Sequence, residues 1–226
     1  MITKSTYYKN EIYTPHSVVS VSSDVTDVEE SLFDFIEEYE REALISLLGY
    51  HLAIEFINNL DASKSNGLVD SADEKWNELL NGKTYASPDT GKTVVWRGIR
   101  FKSIASREHP DVSMLAYYVY YNYQSNSYIT MGDTGAQIVD SKNAQSVVPT
   151  QKVVKALSKF IAFAQKGFFN PKRVIYSDGL GVDYYEEANN IEISLYKFIY
   201  DSNNIVEDYY ADFTPKKWNE VNQFGI

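Results

Sequence analysis

From Thr26 onward, apolar residues return at steps of three and four: Val28, Leu32, Phe35, Ile36, Tyr39, Ala43 and Leu47. That period places them on one face of an α-helix, with Glu30, Asp34, Glu37, Glu38, Arg41 and Glu42 on the solvated face. The acidic pairs Glu37/Glu38 and Glu40/Glu42 therefore read as helix surface rather than as general acids. Thr26 and Glu29 have the spacing of a capping box, and Gly49 stands where a helix takes a left-handed terminator. At 1.5 Å per residue this helix is roughly 33 Å long. A shorter helix over residues 50–60 buries Leu52, Phe56 and Leu60. Residues 61–70 form a polar connector. Ser71 and Glu74 then repeat the capping spacing before a stripe of Trp76, Leu79 and Leu80 that stops at Gly82.

Ser87-Pro88-Asp89-Thr90-Gly91 is turn chemistry between Lys83–Ala86 and the strand-like run Thr93-Val94-Val95-Trp96-Arg97, which predicts a β-hairpin inserted between helices. Pro110 suits a first helical position, and residues 111–129 behind it are apolar on almost every side (Met114, Leu115, Tyr117, Tyr118, Val119, Tyr121), the pattern of a central helix. Residues 130–149, around Ile138 and Val139, read as a polar loop of a length that is usually functional. Thr150 caps a helix through Val153, Val154, Leu157, Phe160, Ile161 and Ala164 to Gly167. Residues 168–190 read as irregular. A last short helix carries Ile191, Leu195, Phe198 and Ile199. Residues 1–23, with Pro15 and the Ser/Val alternation of residues 17–22, read as an extended arm or one short strand. The expected fold class is mainly α: a helical bundle with a small β-hairpin insertion and extended N- and C-terminal arms. Its parts are an N-terminal arm (1–25), a helical body (26–200) with the hairpin at 83–97 and the long loop at 130–149, and a C-terminal docking tail (201–226).

Composition narrows the function classes. The 226 residues include 31 Asp and Glu against 21 Lys and Arg, a net charge of −10, which disfavours sequence reading or packaging of nucleic acid. The absence of Cys removes disulfide frameworks, thiol nucleophiles, iron–sulfur clusters and Cys-based zinc sites. The start of the chain lacks the pattern of a signal peptide, and no stretch approaches the roughly 20 apolar residues that cross a bilayer, so a soluble protein is expected. The 19 Tyr, 11 Phe and 3 Trp exceed what a core of this size requires.

Candidate chemistry is sparse. Gly82-Lys83-Thr84 and Gly91-Lys92-Thr93 each lack the glycine a phosphate loop needs five residues earlier, where Asn77 and Ala86 stand. Gly179-Leu180-Gly181 lacks the third glycine of a dinucleotide fingerprint. His16, His51 and His109 are scattered without metal-ligand spacing, and no Gly-x-Ser-x-Gly elbow is present. Asp183, Glu186 and Glu187 beside Tyr184 and Tyr185 superficially resemble a carbohydrate-cleaving pair with aromatic platforms. No catalytic, cofactor-binding or metal-binding residue is assigned. The surplus aromatics suggest protein docking instead, since Tyr and Trp are enriched where proteins meet. The docking candidates are Tyr7, Tyr8, Tyr13, Ile138, Val139, Tyr209, Tyr210, Trp218, Phe224 and Ile226; packing of both ends on their own domain is the competing reading. If the tail docks on a partner, removing residues 212–226 impairs assembly and spares helix content.

The segment from Phe33 to Gly49 (Phe33-Asp34-Phe35-Ile36-Glu37-Glu38-Tyr39-Glu40-Arg41-Glu42-Ala43-Leu44-Ile45, then Leu47-Leu48-Gly49) is followed by Trp76-Asn77-Glu78-Leu79-Leu80-Asn81-Gly82, Trp96-Arg97-Gly98-Ile99 and Leu115-Ala116-Tyr117-Tyr118-Val119-Tyr120-Tyr121. Thr134-Gly135, Ile138-Val139, Asn143-Ala144, Leu195-Tyr196-Lys197-Phe198-Ile199-Tyr200 and Phe224-Gly225-Ile226 complete the order. In this order, over residues 30–226, the chain resembles the head–tail connector (neck adaptor, or ring) proteins of tailed bacteriophages, particularly of Bacteroides-infecting and crAss-like phages. The resemblance implies a structural virion protein of the neck, made in the host cytoplasm, with no catalytic residues and no cofactor. It implies a homo-oligomeric, dodecameric ring that binds the portal protein and the next neck or tail ring protein. DNA would pass through the channel without sequence-specific binding, and no membrane is involved. The alternative is a carbohydrate-active enzyme or glycan-binding module of a phage or bacterial surface.

Overall fold

A computed structural model describes residues 2–14, 27–65, 67–89, 91–101, 112–127, 129–132, 135–138, 150–166, 173–177, 183–186 and 191–218. Within these, α1 (Asp27–Leu48), α2 (Tyr50–Asn58), α3 (Glu74–Asn81), β1 (Lys83–Ala86), β2 (Thr93–Trp96), β3 (Arg100–Phe101) and β4 (Val112–Ser113) precede the central helix α4 (Met114–Ser127). There follow β5 (Ile129–Gly132), β6 (Gly135–Ile138), α5 (Thr150–Ile161) with a π-helical extension (Ala162–Lys166), β7 (Arg173–Ser177), β8 (Asp183–Glu186), β9 (Ile191–Glu192) and α6 (Leu195–Ile205). The protein is mainly helical with a small β-hairpin, as its periodicity predicts.

α1 buries Leu32, Ile36, Ala43 and Leu47, the stripe read from the sequence, and packs on α4. α4 is buried from Met114 to Tyr120 because it is apolar on all sides, and α5 packs on it as well. The β1–β2 hairpin has the register Lys83↔Trp96 to Ala86↔Thr93. Its turn is closed by Ser87 N–H to the Lys92 carbonyl and Gly91 N–H to the Ser87 carbonyl.

Several boundaries differ from the expectation. Ile191 belongs to β9, which pairs in parallel with β2, and α6 starts only at Leu195, where the Ser194 hydroxyl accepts the Lys197 N–H. α3 is preceded by Asp73, whose side chain makes no capping bond, so the Ser71/Glu74 box is not formed. α4 starts three residues later than expected, because Val112–Ser113 pairs with β3 and the Ser113 hydroxyl accepts the Ala116 N–H; Pro110 lies outside the described residues. The long loop contains an antiparallel pair, β5 with β6, and the stretch read as irregular contains another, β7 with β8.

The N-terminal segment is not a free arm over residues 2–14. Ile2, Tyr7, Tyr8 and Ile12 are buried. Glu40 accepts the N–H groups of Ile2 (2.8 Å) and Thr3 (2.7 Å), and the Thr3 hydroxyl meets that of Ser113 at 2.9 Å. The described part of the tail is likewise tied down: Thr214 N–H donates to the Leu48 carbonyl, Lys216 N–H to the Ser46 carbonyl, and the Tyr196 hydroxyl to the Lys216 carbonyl. Residues 15–26 and 219–226, including the Ser/Val alternation and the Thr26 cap, lie outside the described residues.

The surplus of rings has an internal use. One run passes from Phe56 to Trp76 (5.6 Å between centroids), Tyr210 (6.4 Å), Phe198 (5.8 Å) and Trp96 (5.5 Å), joining α2, α3, the hairpin, α6 and the tail. A second runs from Tyr123 through Phe35, Tyr39, Tyr118 and Phe160 to Trp218, joining α1, α4, α5 and the tail. Edge-on and offset ring pairs add to the area they bury, so these runs bind segments far apart in sequence.

Candidate docking surfaces

The described buried carboxylates are each committed to another segment of the same chain. Asp201, fully buried on α6, accepts the Tyr85 hydroxyl (2.9 Å), the Ser87 hydroxyl (3.4 Å) and Lys197 Nζ (2.7 Å), while Lys197 also engages Asp89. Burial and the bond to Asp201 hold the Tyr85 phenol well above its ordinary pKa. Partial burial alone would lower Lys197, but Asp201 and Asp89 outweigh it and raise the ammonium. Glu78 pairs with Lys83 at 2.5 Å and accepts the Tyr209 hydroxyl at 3.3 Å. Glu40 is raised above the usual carboxylate range by burial, against the pull of the Thr3 and Ile2 N–H groups. The solvated-face reading therefore fails for Glu40: a helix surface is solvated only where no other segment covers it.

The sequence-derived docking residues divide sharply. Tyr7, Tyr8 and Tyr210 are core residues, 3%, 0% and 0% exposed, and so are withheld from any partner. The Tyr210 hydroxyl donates to the Lys75 carbonyl at 2.7 Å. Tyr209 is half-buried, its phenol pushed up to about 12 by burial and by Glu78. Trp218 packs edge-on against Phe160 and Tyr118, with Lys216 over its ring, so its ring is used inside the chain. Tyr13 does present its ring to solvent, at 59%. Ile138 ends β6, though its side chain, like Val139, Phe224 and Ile226, lies outside the described residues. Of the carbohydrate cluster, Asp183, Tyr184, Tyr185 and Glu186 form β8, whose side chains are outside the described set, as is Glu187. His51 is an exposed residue of α2 set edge-on to Tyr50; His16 and His109 are not described. Among the described residues no cluster of three metal-ligating side chains occurs, and no helix is long and apolar enough to cross a membrane.

Other exposed apolar residues escaped the sequence reading: Phe33 on α1, Tyr50 on α2, and Tyr200, Ile205 and Val206 on and after α6. Phe33 was detectable as the residue one step off the α1 stripe. The others look like core positions until the neighbouring elements are placed. Between α1 and α2 runs a groove of about 430 Å³ with an apolar floor of Leu44, Ile54, Ile57 and Leu60 and with Glu37 and Arg41 on its rim.

On α5, Lys155 and Lys159 reach Glu11, which also accepts the Tyr117 hydroxyl at 2.9 Å. Partial burial pushes the Glu11 carboxyl up, but Lys159, Tyr117 and Lys155 together bring it below its ordinary value. Lys152 stands one turn earlier beside the same small hollow of about 110 Å³. The arrangement offers charged and aromatic contact surfaces on several sides of a tightly tied body. No known family model, curated protein or solved structure matches the chain.

Proposed function

We propose that the chain is a structural adaptor of a tailed-phage neck, a ring protein that joins the portal to the next neck or tail component around the DNA channel. One observation carries this reading. The described buried acids Glu40, Glu78 and Asp201 all serve to lock the chain to itself, while exposed rings and apolar side chains (Tyr13, Phe33, Tyr50, Tyr200, Ile205, Val206) stand on separate elements. A bridging subunit needs a rigid body with several contact faces, because it meets lateral and axial neighbours at once. The ordered run of neck-adaptor-like segments supports the same reading. The net charge of −10 suits a wall that does not grip passing DNA, since like charge repels phosphate.

The test is co-sedimentation of the purified chain with portal rings from the same virus, followed by negative-stain imaging. The expected result is a stoichiometric added layer on the portal. A chain that stays in the supernatant, or one that hydrolyses a surface polysaccharide in a manner abolished by Glu186→Gln, overturns the proposal.

A further inference from the structure

α4 lies between α1 and α5, packing on both, while these two outer helices scarcely touch each other. Their outward faces carry opposite charge. On α1, Asp34, Glu37, Glu38 and Glu42 are exposed with Arg41 as the only cation among them, Glu42 standing at the α4 edge of the face, where it accepts the Tyr118 hydroxyl at 2.7 Å. On α5, Lys152 and Lys155 are exposed and Lys159 is half-exposed, and no acidic residue occurs within Thr150–Ile161. Among the described residues, the acid that reaches this face is Glu11, already shared by Lys155, Lys159 and Tyr117. A chain of net charge −10 thus keeps a locally basic surface.

The two faces also match in length. Residues 152 to 159 span roughly 10 Å along their helix and residues 34 to 42 roughly 12 Å. Each face has an exposed ring beside it: Tyr13, next to the Ile12 that packs with the α5 side, is 59% exposed, and Phe33, next to Asp34, is 46% exposed. A head-to-tail contact between identical copies needs two different, mutually complementary patches, and a self-complementary two-fold contact would set like charge against like on either face.

We infer that copies of this chain associate head to tail, the lysine face of α5 and Tyr13 of one copy meeting the acidic face of α1 and Phe33 of the next. The inference deepens the ring reading above and rests on it for closure; the pairing itself is a property of the isolated chain.

Sedimentation velocity on the full chain tests it. The wild type is expected to form species larger than a monomer at low salt and to revert toward monomer as salt screens the contact. Lys152→Glu/Lys155→Glu makes both faces acidic, and Asp34→Lys/Glu38→Lys makes both basic. Each alone is expected to lose on the order of tenfold or more in association, because like charges are brought together. Mixed in equal amounts, the two variants are expected to recover assembly as alternating copies. The substituted side chains are exposed, and Glu11 keeps Lys159 and Tyr117 when Lys155 is changed, so helix content by circular dichroism should be unchanged. If a reversal variant fails to fold, the neutral pair Lys152→Gln/Lys155→Gln, which should weaken association in the same sense, decides in its place.

A wild type that is monomeric at every salt concentration overturns the inference. So do reversal variants that assemble like wild type, or a mixture that stays monomeric. Loss of DNA retention in Lys152→Glu/Lys155→Glu with assembly intact would assign the lysine face to nucleic acid and also overturns it. The neck reading fails separately, by absence of portal binding in a chain that does self-associate.

Discussion

Two backbone N–H groups at the start of the chain, those of Ile2 and Thr3, end on the two oxygens of Glu40, in the middle of α1. Both donors lie in a buried segment, and an unsatisfied buried donor costs about 1–3 kcal/mol. Glu40→Ala should therefore lower unfolding free energy by about 2 kcal/mol in urea titration, part of the loss being offset because a buried carboxylate is itself costly. Glu40→Gln, which keeps one acceptor, should lose less. Glu11 makes the pH prediction. Its folded carboxyl titrates below its ordinary value of 4.5, so the folded state binds fewer protons than the unfolded chain between those two values. The stability it contributes is present above the unfolded pKa and is lost as pH falls through the folded one. Glu11→Gln should flatten the acid limb of melting temperature against pH and leave less salt dependence near neutrality. Equal acid limbs in variant and wild type would refute the pairing. Glu40 works in the opposite sense, its raised pKa relieving a burial cost as pH falls, so the comparison is made within one background. Neither role was visible in sequence: Glu40 and Glu11 look like any polar residue on a helix or arm until the segment that covers each is placed.

At the scale of elements, connections with demanding geometry set where helices and strands stop. Gly98, between β2 and β3, has φ +84°, and a Cβ there would lie 2.4 Å from the Leu80 carbonyl oxygen and 2.7 Å from Asn81 C. Gly98→Ala should destabilise by about 1–3 kcal/mol from backbone strain alone, with further loss because the obstacle is main chain that cannot rotate away. The hairpin is fastened to α6 through Asp201. Asp201→Ala removes a charged acceptor from Tyr85, Ser87 and Lys197 and should cost about 2–3 kcal/mol, while Asp201→Asn, which still accepts from Tyr85, should cost less. The β1–β2 hairpin was legible because its turn residues are unambiguous and its strands carry Val94, Val95 and Trp96. The β5–β6 and β7–β8 pairs were not: Ile129–Gly132 and Gly135–Ile138 are four-residue segments bounded by glycine that gain their structure from each other, and the strand-like Val174-Ile175-Tyr176 stands in a stretch whose partner strand, Asp183–Glu186, is acidic and short. β9 reads as helix because Ile191 falls in step with Leu195 and Phe198; its pairing with β2 is a contact across nearly a hundred residues of chain.

For the whole molecule, the described ends close the core. Trp218 caps the second run of rings, and Lys216 and Thr214 bond to the last turn of α1. Removing residues 212–226 should therefore lower the thermal midpoint of the isolated chain, in addition to any effect on assembly. Trp218→Ala alone should cost about 2 kcal/mol, less than the roughly 3–5 kcal/mol for removing a fully buried large aromatic, because the ring is only partly buried. A truncated chain that melts like the full one would return the tail to a purely docking role.

What the sequence determined by itself is whatever follows from local period and backbone chemistry: the long amphipathic α1, the all-round apolar α4, the stripe of α5, and the glycine stops. These depend on residues three or four apart, whose relation is set by helix geometry alone. Which faces those helices cover, which of the many tyrosines are left outside, and which carboxylates are buried were decided by the tertiary structure. They depend on contacts between segments tens to more than a hundred residues apart, and a pattern of apolar positions records that a face must be covered without recording by what.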